Sequence, residues 1–141
     1  MRNKELVIDE VAVPAPGPGQ VLADVIACGI CGSDLHALKF ADKLISTAEA
    51  SGAPFVMDLK KDVVMGHEFS ARIVEVGAGV TNVKVGDVVV SMPVIITSDG
   101  IEAIGYNNTY PGAYSERIVL SAMLCLPVPD GLDPRHAALT E

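Results

Sequence analysis

The sequence predicts a mainly β domain with short peripheral helices, on three observations. Half of its residues are apolar, yet only three are Phe and none is Trp, so Val, Ile, Ala and Leu must fill the core. Thirteen Gly and nine Pro cut the chain into short runs, as expected of strands joined by tight turns. Residues 20–28 alternate, with Val21, Ala23, Val25 and Ala27 on one face, which is the period of a strand. A length of 141 residues is enough for one domain with its own core.

In chain order, residues 4–13 read as a first strand and Pro14-Ala-Pro-Gly-Pro-Gly19 as a turn, because its prolines withhold ladder donors. A second strand, 20–28, leads to a glycine-bracketed loop, 29–32. Ser33 is expected to cap a short helix starting at Asp34, and 41–50 to form a second, broken at 51–54. Residues 58–62 are charged and solvent-facing. Residues 69–76 form a strand ending at the turn Gly77-Ala-Gly79, and 80–85 lead to the Gly86-Asp87 turn and a strand over 88–92. Residues 101–111 read as a polar surface excursion, 112–120 as a strand carrying Tyr114, Glu116, Ile118 and Leu120 on one face, and 123–127 as a short strand. After the turn Pro129-Asp-Gly-Leu132, Asp133 caps a helix opening at Pro134. The chain ends inside that helix, so a fragment of a longer protein is expected.

A net charge of −8, with no basic stripe or interleaved aromatics, argues against nucleic acid as a partner. Met1-Arg-Asn-Lys-Glu opens without an apolar signal segment. No apolar run reaches the roughly 18 residues of a membrane span; the longest, 88–96, is interrupted by Pro93. Three cysteines do not make a disulfide framework, and the expected setting is reducing and cytoplasmic.

The chemistry concentrates in Cys28-Gly-Ile-Cys31-Gly-Ser-Asp-Leu-His36 and Gly66-His67-Glu68. Thiolate and imidazole are zinc ligands, and Cys31 and His67, each beside glycine, are the best pair. A catalytic zinc takes three protein ligands; Glu141, Glu68, Asp34 and Cys125 are the candidates for the third. Other readings stand beside this one. Cys28 closes an apolar strand and reads as a buried inert thiol, Cys31 as a loop cysteine, and His67 as a structural histidine. The lone Cys28-x2-Cys31 lacks the second pair of a zinc knuckle and the helix context of a thioredoxin-like motif.

Taken together these segments resemble the zinc-containing medium-chain alcohol dehydrogenases, in their N-terminal GroES-like catalytic domain and nearest the polyol or sorbitol dehydrogenase branch. The resemblance is carried by Cys31-Gly-Ser-Asp-Leu-His36, Gly66-His67-Glu68, Val76-Gly-Ala-Gly-Val80, Gly86-Asp87-Val-Val, Gly112-Ala-Tyr-Ser-Glu116, Pro127-Val-Pro-Asp-Gly-Leu132 and Ala137-Ala-Leu-Thr-Glu141, in that order. It covers essentially residues 1–141 and implies a GroES-like, partly open β-barrel. It implies one catalytic zinc on Cys31, His67 and Glu141, with Glu68 near the metal and Asp34 behind His67. Ser33 would pass the substrate proton and His36 would carry it outward, near the cofactor ribose, with Gly32 facing the cofactor pyrophosphate. The activity implied is hydride transfer between a small secondary alcohol or polyol and NAD or NADP, in a homo-oligomer.

Departures from the family pattern shape that expectation. The four-cysteine lobe of a structural zinc site is missing, and residues 39–64 are long for the span between the ligand motifs. Gly77 and Gly79 lack the Gly-x-Gly-x-x-Gly spacing and the helix of a dinucleotide fingerprint, so the nucleotide-binding Rossmann domain is expected to be absent from this stretch and the stretch alone inactive. The alternatives are a non-enzymatic GroES-like protein-binding module and a zinc-free, quinone-reductase-like oxidoreductase.

Overall fold

The computed structural model describes residues 1–53 and 57–140. In chain order these form β1 (Gln20–Cys28), α1 (Gly32–Ser51), β2 (Phe69–Val76), β3 (Val88–Ser91), β4 (Val94–Thr97), β5 (Gly100–Ala103), β6 (Arg117–Ser121), a 3₁₀ turn (Ala122–Leu124), β7 (Cys125–Pro127) and α2 (Pro134–Ala137). Five strands make one antiparallel sheet in the order β6-β1-β2-β3-β7. β4 and β5 form a separate hairpin, tied to β6 where the Ile96 N–H donates to Ser121 Oγ at 2.8 Å. The larger sheet is left open, so the architecture is the expected mainly β one with helices at the periphery. The β1–β2 register shifts at Leu22/Ala23 and again at Val25/Ala27; such irregularities bend a strand and increase its twist.

Two apolar clusters lie side by side. The sheet cluster holds Val21, Ala23, Ala71, Ile73, Val89, Ile118 and Leu120, all fully buried. The second lies against α1 and holds Met1, Ala37, Met57, Val63, Met65, Ala103 and Tyr106. Residues 65–69 run from one to the other, Met65 in the second and Phe69 in the first, and residues 104–106 do the same with Ile104 and Tyr106. Side chains between those anchors are therefore held from both ends.

Several elements differ from expectation. Residues 4–13 are not a strand: the single pairing there is an isolated Arg2–Glu5 bridge, and Leu6, Ile8, Val11 and Val13 are exposed. Alternation gives a strand only where a partner completes the ladder. The two short helices are arms of α1, which bends at Phe40 (φ −131°, ψ 35°), and the cap is Cys31 rather than Ser33. The Asp34 carboxylate, three residues on, accepts the Cys31 N–H at 3.1 Å, so the carboxylate side of a capping box sets the start two residues early. Gly52 (φ +68°) closes α1, its N–H returning to the Ala48 carbonyl; Pro54, the other expected breaker, lies outside the described residues.

β3 ends at Ser91, just ahead of Pro93, and the run expected over 112–120 is a strand only from Arg117. Ahead of it Gly112, Ala113 and Tyr114 donate their N–H groups to the carbonyls of Val64, Gly66 and Met65, crossing the His67 segment instead of extending β6. The expected polar excursion over 101–111 is largely interior, with Ile104, Tyr106 and Asn107 buried, because β5 pairs with β4 and carries the chain inward. No helix among the described residues is long and apolar enough to cross a membrane.

Candidate active site

The site forms where the start of α1 meets the 65–69 crossing. His67 is buried, and so is Asp34, at 2% exposure. Asp34 Oδ1 lies 3.3 Å from His67 Nδ1. Asp34 Oδ2 accepts the Cys31 N–H at 3.1 Å and the Tyr114 hydroxyl at 2.9 Å. On the other side of the imidazole, Nε2 is 3.2 Å from Ser33 Oγ, and Ser33 Oγ accepts the Tyr106 hydroxyl at 2.9 Å. The Tyr106 ring is tilted against the imidazole, 5.2 Å between centroids.

Electrostatics follow this geometry. Burial alone would raise the Asp34 carboxyl, but the bonds from His67 and Tyr114 outweigh it and hold the group below its ordinary value. The Cys31 thiol is also lowered, first by the Ser33 hydroxyl and backbone and then by His67, with Glu68 opposing. Cys28, three residues earlier, is pushed up to about 12 by burial and by the charges of Asp34 and Glu68. The two thiols are therefore shifted in opposite directions, Cys28 upward and Cys31 downward.

The remaining expected residues are arranged around this centre. Glu68 lies over Gly29, where a Cβ would come within 2.4 Å of the carboxylate, and the Gly29 N–H donates to the Glu68 carbonyl at 2.7 Å. Gly32 opens α1 on an exposed face with open space around its Cα, and His36 is exposed one turn further, its ring edge-on to Phe40 at 6.2 Å. Glu141 lies outside the described residues. Cys125, a candidate third ligand, is buried as the first residue of β7, its thiol bonded to the Ser121 carbonyl.

Among the described residues, no three His, Cys, Asp or Glu side chains converge as a ligand set. In kind the donors fit zinc: a lowered thiol and an imidazole with a carboxylate at its other nitrogen. The two tyrosines are what sequence reasoning missed as site residues. Tyr106 sits in a stretch that reads as polar surface. The signal for it was Gly105, whose φ of +83° lets the chain press against Gly66, where a Cβ would lie 2.9 Å from the Gly66 carbonyl oxygen.

The chain belongs to the alcohol dehydrogenase GroES-like domain family, whose model matches residues 17–130, and so to the zinc-type medium-chain alcohol dehydrogenase superfamily. It is 34% identical over 156 aligned residues to (R,R)-butanediol dehydrogenase of Bacillus subtilis, covering 99% of this chain and 42% of that protein. It is 31% identical over 144 residues to L-threonine 3-dehydrogenase of Thermococcus kodakarensis, covering 94% and 38%. The crystal structure of 2R,3R-butanediol dehydrogenase from Bacillus subtilis superposes with a TM-score of 0.74 at 34% identity, over 99% of this chain and 42% of that one. The chain thus spans about two fifths of the length of these relatives.

Proposed function

We propose that this chain is the catalytic-domain part of a zinc-dependent dehydrogenase that moves a hydride between a secondary alcohol or polyol and NAD or NADP. The observation that carries the reading is a buried histidine with a carboxylate oxygen 3.3 Å from Nδ1 and its Nε2 at the start of α1, 3.2 Å from Ser33 Oγ, beside a thiol held below its ordinary value. Cys31 and His67 would hold the zinc, with Glu141 or Glu68 completing the set. Once bound, zinc supplies Lewis acidity towards an alcohol or carbonyl oxygen. The chain's own groups do the rest. Asp34, 3.3 Å from Nδ1, would hold the His67 proton there, so that Nε2 presents a lone pair. Ser33 Oγ, already accepting the Tyr106 hydroxyl, keeps a proton to give and a lone pair to receive one. It would take the substrate proton and hand it towards His36 on the exposed face of α1. The relatives' names, a butanediol and a threonine 3-dehydrogenase, describe oxidation at a secondary carbinol, which supports the polyol-like branch. The further parts of the proposal are a nicotinamide cofactor whose ring lies near Gly32 and His36, a homo-oligomer, and a cytoplasmic setting.

The test is zinc content of the purified protein beside Cys31→Ser and His67→Ala. About one zinc per chain, lost in both variants, is expected, together with NAD- or NADP-linked oxidation of a vicinal diol by the full-length protein. Folded full-length protein that takes up no zinc would overturn the reading.

A further inference from the structure

We propose that the Tyr114 hydroxyl is a positioning group for His67, acting through Asp34: it fixes the carboxylate so that Oδ1 faces Nδ1 and the imidazole keeps one tautomer and one orientation. This rests on the zinc reading above only for its consequence, the affinity for the metal.

The argument begins with the freedom of a carboxylate. Held by one donor, the Asp34 carboxylate could still turn about its Cβ–Cγ bond. The Cys31 N–H is one donor, at 3.1 Å on Oδ2. The Tyr114 hydroxyl, 80 residues away in sequence, is a second on the same oxygen at 2.9 Å. Two donors arriving from different elements fix the plane of the group, and the other oxygen then lies 3.3 Å from His67 Nδ1. A tyrosine hydroxyl has a single proton. Its other acceptor, the Gly29 carbonyl, is further, at 3.3 Å, so Asp34 is the preferred partner.

Tyr114 is itself clamped by the segment that carries His67. Its N–H donates to the Met65 carbonyl at 2.8 Å, and the Ala113 N–H to the Gly66 carbonyl at 2.9 Å. Gly66 lies so close that a Cβ there would sit 2.6 Å from the Tyr114 nitrogen. A closed circuit results: His67 to Asp34, Asp34 to the Tyr114 hydroxyl, the Tyr114 backbone to Met65, and two residues of chain back to His67. Tyr114 is 38% exposed and belongs to neither apolar cluster. The phenol oxygen has the Asp34 bond as its structural reason.

Tyr114→Phe keeps the ring and removes only this donor. The experiment compares it with wild type and Asp34→Asn in the full chain. The readouts are two-bond ¹H–¹⁵N correlation spectra of the His67 ring without metal, and zinc affinity by competition with a chromophoric chelator. Near-ultraviolet circular dichroism checks the fold. Wild type is expected to show one neutral tautomer with its proton on Nδ1, and Tyr114→Phe a mixture of both. Zinc should bind about tenfold more weakly to Tyr114→Phe, at the low end of the roughly 10- to 100-fold that such outer partners contribute, with Asp34→Asn losing more.

A His67 tautomer and a zinc affinity unchanged in folded Tyr114→Phe would overturn the proposal. A shifted tautomer in a protein that binds no zinc even as wild type would uphold the positioning role and overturn the zinc reading. In wild type alone, a slowly exchanging Tyr114 hydroxyl proton with a nuclear Overhauser contact to the Cys31 amide is expected, and its absence would count against the proposal whether or not the variant folds.

Discussion

At the residue scale, Gly66 shows how much of the site is decided by a missing side chain. Its φ of +96° lies where L residues are strained, and a Cβ would meet the Tyr114 nitrogen at 2.6 Å and Cys28 Sγ at 3.0 Å. Gly79 has a similar φ of +79° but open space around it. Gly79→Ala should therefore cost only the left-handed penalty, about 1–2 kcal/mol. Gly66→Ala should add an overpacking cost of about 1–3 kcal/mol, because backbone rather than a flexible side chain must move. Urea unfolding of the two variants checks this; equal losses would show that Gly66 is needed for its φ alone. Sequence alone made Cys31 and His67 legible as a donor pair beside glycines, while the roles of Ser33 and of Asp34 behind His67 came from the family resemblance. It did not reveal the tyrosines, because a hydroxyl's partner 73 or 80 residues away leaves no local trace.

At the element scale, β1 and β2 were readable because alternation coincided with glycine turns and each strand had neighbours to pair with. The bend in α1 was readable only as an interruption. The 3₁₀ turn and β7 give a test that depends on pH. Burial pushes the Cys125 thiol up to about 11 from its usual 9.0, with a Ser91 hydrogen bond opposing. A group neutral in the fold but ionised in the unfolded chain means that the unfolded state binds fewer protons above pH 9. The stability this thiol contributes is thus intact below pH 9 and lost as pH rises towards 11. At pH 10 the loss is about 1.4 kcal/mol. Between pH 8 and pH 10 the stability advantage of wild type over Cys125→Ala should shrink by roughly that amount. A constant gap would mean that the thiol already ionises in the folded protein.

At the scale of the whole molecule, the two clusters are joined by short crossings that carry His67 and Tyr106, while one long stretch takes part in neither. Residues 6–13 have exposed side chains, Ile8 completely so, and no strand partner among the described residues. Among the described residues no backbone–backbone hydrogen bond ties 6–13 to the rest, so opening this stretch for a protease costs little, whereas β1 must first leave the sheet. Met1 is different: its amine donates to the Val63 carbonyl and its side chain belongs to the cluster against α1. Limited proteolysis at low protease should cut first within 6–13 and leave a core containing β1 to β7 whose far-ultraviolet circular dichroism is unchanged. The released N-terminal piece takes Met1 out of the cluster that holds Met65 and Tyr106. Hydrogen exchange of amides 63–67 should then accelerate in the nicked protein, while those of β1 and β2 keep their protection. First cuts at 98–99, the β4–β5 turn, would show that residues 6–13 are held by contacts stronger than the Arg2–Asp9 and Arg2–Asp62 ion pairs, which join exposed side chains.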